Sequence, residues 1–204
     1  MSRISFCKKW AAALSAQQNL SPETESVVAF AIEVLFINLI NLVLTLSIGW
    51  ILGVFVETAI VLFTVAVFRH TAGGAHSESP WRCAAGTAIV FPLLGVLGNL
   101  MTSLPSVLCD MVSVLAIGVG FYLIYKYAPV DSPAAPIVSL QRRNSLRNKA
   151  FWAMAIFSLV IIGAAMTDYS YSRIVQQGAA LGVLWVSLNL SNLGIRLWSV
   201  IDHI

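Results

Sequence analysis

Charged residues are scarce in this chain. Only 10% of its 204 residues are Asp, Glu, Lys or Arg, against roughly 25% in soluble domains, and 58% are hydrophobic. The apolar residues also form uninterrupted blocks of roughly 20, the length that crosses about 30 Å of hydrocarbon. An ordinary soluble globule is therefore excluded, and the sequence predicts an all-α polytopic membrane protein.

Cysteine is also scarce. The three thiols, Cys7, Cys83 and Cys109, are odd in number and widely spaced, and none belongs to a C-x-x-C motif, which argues against a disulfide framework and a metal cluster. The net charge of +3 is too small to indicate a nucleic-acid binder. We expect no metal, no cofactor and no nucleic-acid partner.

Six apolar blocks predict about six transmembrane helices in one integral membrane domain that covers residues 1–204. No cleavable signal peptide is evident, so we expect the first span to direct insertion. A tight turn at 47–50 should join the first two spans. The predicted spans are 27–46, 51–68, 86–104, 111–127, 151–167 and 174–193.

An amphipathic helix is predicted at 5–18, before the first span. Phe6, Trp10 and Leu14 lie one helical turn apart, which suits a helix in the membrane interface, and a disordered basic end is the alternative. The pair Ser21-Pro22 then provides an N-cap residue followed by proline at the first helical position. We expect the helix of the first span to begin there.

The distribution of basic residues predicts the orientation. With six spans, both termini, the loop 69–85 and the loop 128–149 lie on one side. Of the 12 Lys and Arg residues, only Arg173 falls on the other side. Positive charge marks the cytoplasmic side, so we expect both termini and the 69–85 loop in the cytoplasm, where thiols stay reduced.

The loop from Arg69 to Cys83 reads R-H-T-A-G-G-A-H-S-E-S-P-W-R-C and interrupts two apolar blocks. A nucleophilic cysteine must become a thiolate, and an unperturbed thiol with a pKa of about 8.5 is only a few per cent ionised at neutral pH. Ser79-Pro80 is a helix-start signal that would put Cys83 in a first helical turn, where backbone amides favour an anion. Arg82 adds a neighbouring positive charge, and His76 is the candidate base.

The spacing of His76 and Cys83 constrains the backbone between them. In one continuous helix the two residues would stand about 10 Å apart along the axis, too far for a hydrogen bond of about 3 Å. The segment must therefore fold back, and Gly73-Gly74 and Pro80 make this possible. The alternatives are an interfacial histidine, a cysteine that fills space and a glycine pair that forms a simple turn.

Two motifs resemble those of a known family. The pattern R-x-x-x-G-G-x-H-x-x-x-x-x-x-C, from Arg69 to Cys83, resembles the signature of the accessory gene regulator B (AgrB) family of membrane cysteine endopeptidases. The stretch Y-A-P-V-D at 127–131 resembles the Y-A-P-x-D segment that follows the fourth span in that family. Size and hydropathy also fit, so the resemblance covers essentially the whole chain.

The resemblance implies a function at the cytoplasmic face of the cell membrane. Cys83 would be the nucleophile and His76 its general base, and Arg69, Gly73 and Gly74 would shape the site. The substrate would be an AgrD-like quorum-sensing propeptide, cleaved through an acyl-enzyme thioester and cyclised to a thiolactone or lactone. The implied partners are this propeptide and membrane lipids, and a homodimer is compatible with the resemblance.

A third catalytic group is not determined by the sequence. Glu78 is near enough along the chain to orient His76, but a solvated loop acid is the alternative. Asp131 could reach the site from the other polar loop, or it could serve as a turn or cap residue.

Two other functions stay open. A non-catalytic transporter or channel component would use the 69–85 loop as a gate, and Glu33 and Glu57 inside the first two spans favour it. A redox sensor would use Cys83 for reversible oxidation. The basic run at 142–149 is interpreted as a topology determinant and anionic-lipid contact, with binding of an acidic propeptide tail as the alternative.

Overall fold

The computed structural model describes residues 4–18, 21–77, 79–131, 137–167 and 169–203. Arg3, which entered the charge count, and Glu78 lie outside these ranges. Within them the chain folds into eight α-helices and no β-strand, so the all-α prediction is confirmed. The helices are α1 Ser5–Gln18, α2 Pro22–Ile51, α3 Phe55–Thr71, α4 Pro80–Thr102, α5 Ser106–Tyr127, α6 Leu140–Ala165, α7 Ser172–Leu190 and α8 Asn192–His203.

The chain divides into two units, residues 1–44 and 45–204. In the first unit, α1 occupies the residues predicted for the interfacial helix, and Phe6, Trp10 and Leu14 are exposed on it. Helix α2 begins at Pro22, and the Thr24 backbone N–H donates to the Ser21 hydroxyl oxygen at 3.3 Å. The predicted helix-start signal therefore works as a cap, because Ser21 satisfies an amide that has no partner within the helix.

Four described helices are long and apolar enough to cross a membrane, namely α2, α4, α5 and α6. Helices α7 and α8 are long and apolar enough for a fifth span only as a pair, and the angle of the bend between them is 78°. Helix α3 has 17 residues, with Glu57 in its first turn and Arg69 and His70 in its last. Its apolar part is therefore short, and length and composition support four or five spans where the sequence predicts about six.

Helix α7 is the centre of the second unit and packs against α3, α4, α5, α6 and α8. Small residues permit this close approach. A Cβ on Gly182 would lie 2.8 Å from Cβ of Thr64 in α3, and one on Gly178 would lie 3.0 Å from a methyl carbon of Ile60. The surrounding core consists mainly of apolar residues from α3, α5, α6 and α7, including Phe68, Ile124, Met154, Ile161, Val183 and Leu190.

The turn between α2 and α3 differs from the prediction. Helix α2 continues to Ile51, and the chain turns at 52–54 around Gly53, whose φ is +72°. Gly49, expected in the turn, is helical, and its missing Cβ lets Thr58 of α3 approach, since a Cβ there would lie 2.6 Å from the Thr58 hydroxyl oxygen. Both glycines serve the hairpin, one through backbone conformation and the other through close packing.

The polar segments are more helical than predicted. Helix α3 runs through Arg69 to Thr71 and α4 begins at Pro80, so within the described part of the loop 69–85 only residues 72–77 and 79 are non-helical. In the loop 128–149, α6 begins at Leu140, and the basic run forms its first turns. Ser139 caps that helix by accepting the Arg142 backbone N–H at 3.4 Å.

The last predicted span also differs. Helix α7 ends at Leu190, Ser191 adopts extended backbone with ψ of 164°, and α8 follows at a 78° bend. The sequence does not predict α8 as a separate element. This helix turns back onto the segment that carries the candidate catalytic residues.

Candidate active site

The non-helical segment, whose described residues are 72–77 and 79, is held on one side by the Y-A-P-V-D stretch. The Val130 backbone N–H donates to the Ala72 carbonyl oxygen at 2.9 Å, and Gly73 forms an isolated parallel bridge with Val130. Gly73 has φ of +72°, and a Cβ on it would collide with the Val130 carbonyl oxygen. The two motifs that carry the family resemblance are therefore in direct backbone contact, and only glycine fits the bridge.

The end of α7 holds the other side of this segment. The Ala75 backbone N–H donates to the Asn189 carbonyl oxygen at 2.8 Å, and Gly74, with φ of +131°, faces Asn189. The Asn189 side chain is itself fixed, because it donates to the Trp185 carbonyl oxygen at 2.8 Å and accepts the Trp198 indole N–H at 2.7 Å. Residues 73–75 thus lie between two anchored elements.

Cys83 lies in the first turn of α4, as the helix-start signal predicts. Ser79 is the N-cap residue, Pro80 opens the helix, and the Cys83 backbone N–H donates to the Ser79 carbonyl oxygen at 3.0 Å. The Ser79 side chain makes no capping hydrogen bond. Instead the Ser79 backbone N–H donates to the Ser77 hydroxyl oxygen at 3.1 Å, so Ser77 supports the helix start.

The positive group beside the thiol is Arg69. Its Nη2 lies 3.9 Å from Sγ of Cys83, a free and half-buried thiol. The Arg82 guanidinium instead donates to the carbonyl oxygens of Ile201 and Asp202, at 3.1 and 2.6 Å. Arg82 is directed to α8 because adjacent residues on a helix point in different directions. Arg69, from the last turn of α3, is therefore placed to stabilise a thiolate.

His76 lies in the non-helical segment, which is compatible with the expected pairing of His76 and Cys83. Its Nδ1 is 2.9 Å from the Ser77 carbonyl oxygen. A carbonyl oxygen only accepts, so this contact assigns the proton of a neutral imidazole to Nδ1. The Nε2 atom then carries the lone pair, which is the form a general base needs.

Asp131 and Glu78 are the two acids considered as a third catalytic group, and the structure describes only Asp131. The Asp131 carboxylate pairs with the Arg143 guanidinium at 2.6 Å, so it joins the YAPVD stretch to the basic first turns of α6. Glu78 lies outside the described residues. Among the described residues, an acid that contacts the segment carrying His76 is Asp202 of α8, which accepts the Ser77 hydroxyl.

Sequence reasoning missed Ser77, Asn189 and Asp202. Asn189 and Asp202 are more than 100 positions from the segment they hold, so no local spacing links them to it. The available signal was the amphipathic pattern of residues 192–203. In the structure Trp198 of this helix is buried to 6% exposure, and Leu193, Ile195 and Val200 are exposed. Among the described residues, no group of three His, Cys, Asp or Glu side chains could hold a metal ion.

This fold and site define a polytopic α-helical membrane protein with a cysteine and an arginine in contact at one helix start and a histidine in the segment that precedes it. The family model described as Accessory gene regulator B matches residues 7–190, and the chain belongs to this family. The family functions in accessory gene regulator quorum sensing, where it is linked to AgrD processing.

Relatives match most of the chain at low identity. An AgrB-like protein of Clostridium perfringens is 25% identical over 195 residues, which cover 93% of this chain and 91% of the relative. Accessory gene regulator protein B of Staphylococcus carnosus is 25% identical over 172 residues, 84% and 85% of the two chains. That of Staphylococcus aureus is 24% identical over 170 residues, 83% and 86%. No solved structure matches.

The contact between Arg69 and Cys83 predicts a change in thiol reactivity. Arg69→Gln should slow alkylation of Cys83 by iodoacetamide at pH 7 by about two- to fivefold, because an exposed contact between a cation and an anion is worth about 0.2–1 kcal/mol. Arg69→Lys should show a smaller loss. The rate is measured by mass spectrometry on the peptide that contains Cys83. Arg173→Gln, at the other end of α7, is the control, and unchanged alkylation in Arg69→Gln would contradict the assignment.

Proposed function

We propose that this protein is a membrane cysteine endopeptidase that removes the C-terminal tail of an AgrD-like propeptide and releases a cyclic peptide. The observation that carries the proposal is the position of Cys83 in the first turn of α4, with the Arg69 guanidinium 3.9 Å from its sulfur. A thiol at a helix start beside an arginine is the environment typical of a reactive cysteine. Family membership supports AgrD as the source of the substrate.

The first half of the reaction forms a thioester. Nε2 of His76 accepts the Cys83 thiol proton, and the thiolate attacks the carbonyl carbon of the bond to be cleaved. In this proposal the oxyanion is stabilised by backbone N–H groups at the start of α4, where those of Trp81 and Arg82 are the candidates because Pro80 has no N–H and the Cys83 N–H donates to the Ser79 carbonyl oxygen. When the tetrahedral intermediate collapses, the tail leaves as an amine that takes the proton from His76. The truncated peptide stays on Cys83 as a thioester.

The second half releases the product. A cysteine thiol or serine hydroxyl within the peptide attacks the thioester carbonyl and passes its proton to His76. The Cys83 sulfur leaves and is reprotonated, and the peptide closes as a thiolactone or lactone. No oxidant or cofactor is needed. A site partly shielded from water by the membrane surface favours this ring closure over hydrolysis.

The proposal includes an active site on the cytoplasmic face of the cell membrane. The charge placement in the second unit supports this orientation. Arg69 and Arg82 lie at the site, and Arg143 and Arg147 contact Asp131 and the Tyr125 carbonyl oxygen nearby. At the opposite end of α7, Arg173 is paired with Asp110 at 3.2 Å. Excess positive charge at the site end is typical of the cytoplasmic side.

A reconstituted system tests the proposed function. Purified full-length protein in lipid vesicles, given a synthetic AgrD-like propeptide, should yield the free tail and a cyclic peptide lighter by one water than its linear form. Both products are measured by mass spectrometry. Vesicles that contain Cys83→Ala are the control. An intact propeptide that instead accumulates inside the vesicles would contradict the proposal and support the transporter function.

A further inference from the structure

Helix α8 lies beyond the residues that the family model matches, yet its C-terminal turn binds both halves of the candidate active site. The Asp202 carboxylate accepts the hydroxyl of Ser77, the neighbour of His76. The same carboxylate oxygen lies 3.9 Å from Nη1 of Arg82, the neighbour of Cys83. Arg82 also donates to the last carbonyl oxygens of α8, which have no partner within the helix.

Trp198 fixes the position of α8. Its indole N–H donates to the Asn189 side-chain oxygen, and its ring packs over Gly86 of α4, where a Cβ would lie 2.9 Å from the ring. The side chain of Asp202 is only 16% exposed. Asp202 is therefore presented to the site by an anchored helix, and water competes little for its carboxylate.

Ser77 transmits the effect of Asp202 to the base. Its hydroxyl donates to Asp202, its hydroxyl oxygen accepts the Ser79 backbone N–H, and its carbonyl oxygen accepts Nδ1–H of His76. Fixing Ser77 therefore fixes both the carbonyl that orients the imidazole and the turn that begins α4. An acid that sets the orientation of a histidine is a recurring part of histidine–nucleophile pairs, although here it acts through a serine.

We infer that Asp202 is a positioning residue that, through Ser77 and Arg82, holds His76 and the helix start of Cys83 in their reactive arrangement. This inference rests on the proposed function for its effect on cleavage. Its effect on the Cys83 thiol can be measured without any propeptide. The two readouts separate a failure of the inference from a failure of the proposed function.

Asp202→Asn is the main test, made in the full-length protein. We expect propeptide cleavage to lose about tenfold or more in kcat with little change in KM, because orientation of the base is lost while substrate binding is kept. Alkylation of Cys83 by iodoacetamide should slow as well. The control is Asp110→Asn, which removes an Asp–Arg pair at the other end of α7 and should leave alkylation unchanged.

Two further variants separate positioning from folding. Asp202→Glu keeps the carboxylate and should recover most of the lost kcat. Ser77→Ala should also lower kcat. The double variant should lose less than the product of the two single losses, because the two residues share one hydrogen bond, although Asp202 also contacts Arg82 and Ser77 also accepts the Ser79 N–H.

Multiplicative losses in the double variant, or a KM effect alone, would overturn the inference. Alkylation of Cys83 at the wild-type rate in Asp202→Asn would also overturn the inference. If the wild-type protein does not cleave the propeptide but Asp202→Asn still slows alkylation, the proposed function fails and the positioning role stands.

Discussion

Cys83→Ala is expected to lower propeptide cleavage by about 10⁴-fold or more, the size of effect seen when a covalent nucleophile is removed. Without the sulfur no thioester forms, so neither the tail nor the cyclic peptide should appear. Cleavage is measured in vesicles by mass spectrometry, with the amount of inserted protein matched between variants. Cleavage at a near wild-type rate in Cys83→Ala would remove the nucleophile from the proposed mechanism.

The other cysteines provide the control for this result. Cys7 and Cys109 are buried in helices α1 and α5, and Cys109 donates to the Met101 carbonyl oxygen at 3.2 Å. Cys7→Ala and Cys109→Ala should each keep cleavage. Loss of cleavage in all three variants to the same degree would indicate a general effect of thiol removal on folding.

His76→Ala should lower cleavage nearly as much as Cys83→Ala, and the double variant should be no worse. Residues that act as one catalytic unit show this non-additivity, because removing either partner removes the shared step. Independent multiplicative losses would mean that His76 supports the fold and takes no proton from Cys83. His203, exposed near the end of α8, is the control position, and His203→Ala should leave the rate unchanged.

Gly73→Ala is expected to have the largest effect on stability, at about 3 kcal/mol. Two causes add at this position. The backbone has φ of +72°, which disfavours any residue with a Cβ, and the Cβ would collide with the Val130 carbonyl oxygen. The bridge between residues 72–74 and the YAPVD stretch should open, and cleavage should fall with it. The free energy of unfolding is measured in detergent by chemical denaturation.

Two other glycines separate the two causes. Gly53 has the same φ of +72° but nothing within 4 Å of its Cβ position, so Gly53→Ala should show the backbone effect alone, about 1 kcal/mol. Gly163 is helical with nothing nearby, and alanine there should be neutral or slightly stabilising. An effect of Gly73→Ala no larger than that of Gly53→Ala would show that the contact with Val130 is unimportant.

Local sequence features predicted much of the fold. Ser21-Pro22 and Ser79-Pro80 mark helix starts because proline fits the first helical position and the missing amide partners must be supplied locally. A hydrogen bond between His76 and Cys83 would exclude one continuous helix through both residues, and the structure has His76 outside any helix and Cys83 in a first helical turn. These predictions required only residues within one or two turns of each other.

Tertiary contacts account for what the sequence did not predict. Gly49 and Gly53 look alike as turn residues, and only the approach of Thr58 distinguishes a packing glycine from a turn glycine. Arg69 is 14 positions from Cys83 and contacts it because the last turn of α3 lies beside the first turn of α4. Asp202 is 125 positions from Ser77, and its role depends on the bend at Ser191, which no local pattern specifies.

The most direct test of the central claim is to trap the acyl-enzyme. The protein in vesicles is mixed with an AgrD-like propeptide in which the internal Cys or Ser is replaced by alanine, so that ring closure is blocked, and the reaction is quenched with acid. The proposed mechanism predicts that the peptide containing Cys83 gains the mass of the truncated propeptide minus one water, and loses this adduct on treatment with hydroxylamine. Release of the tail without this adduct, or an adduct on another residue, would contradict it.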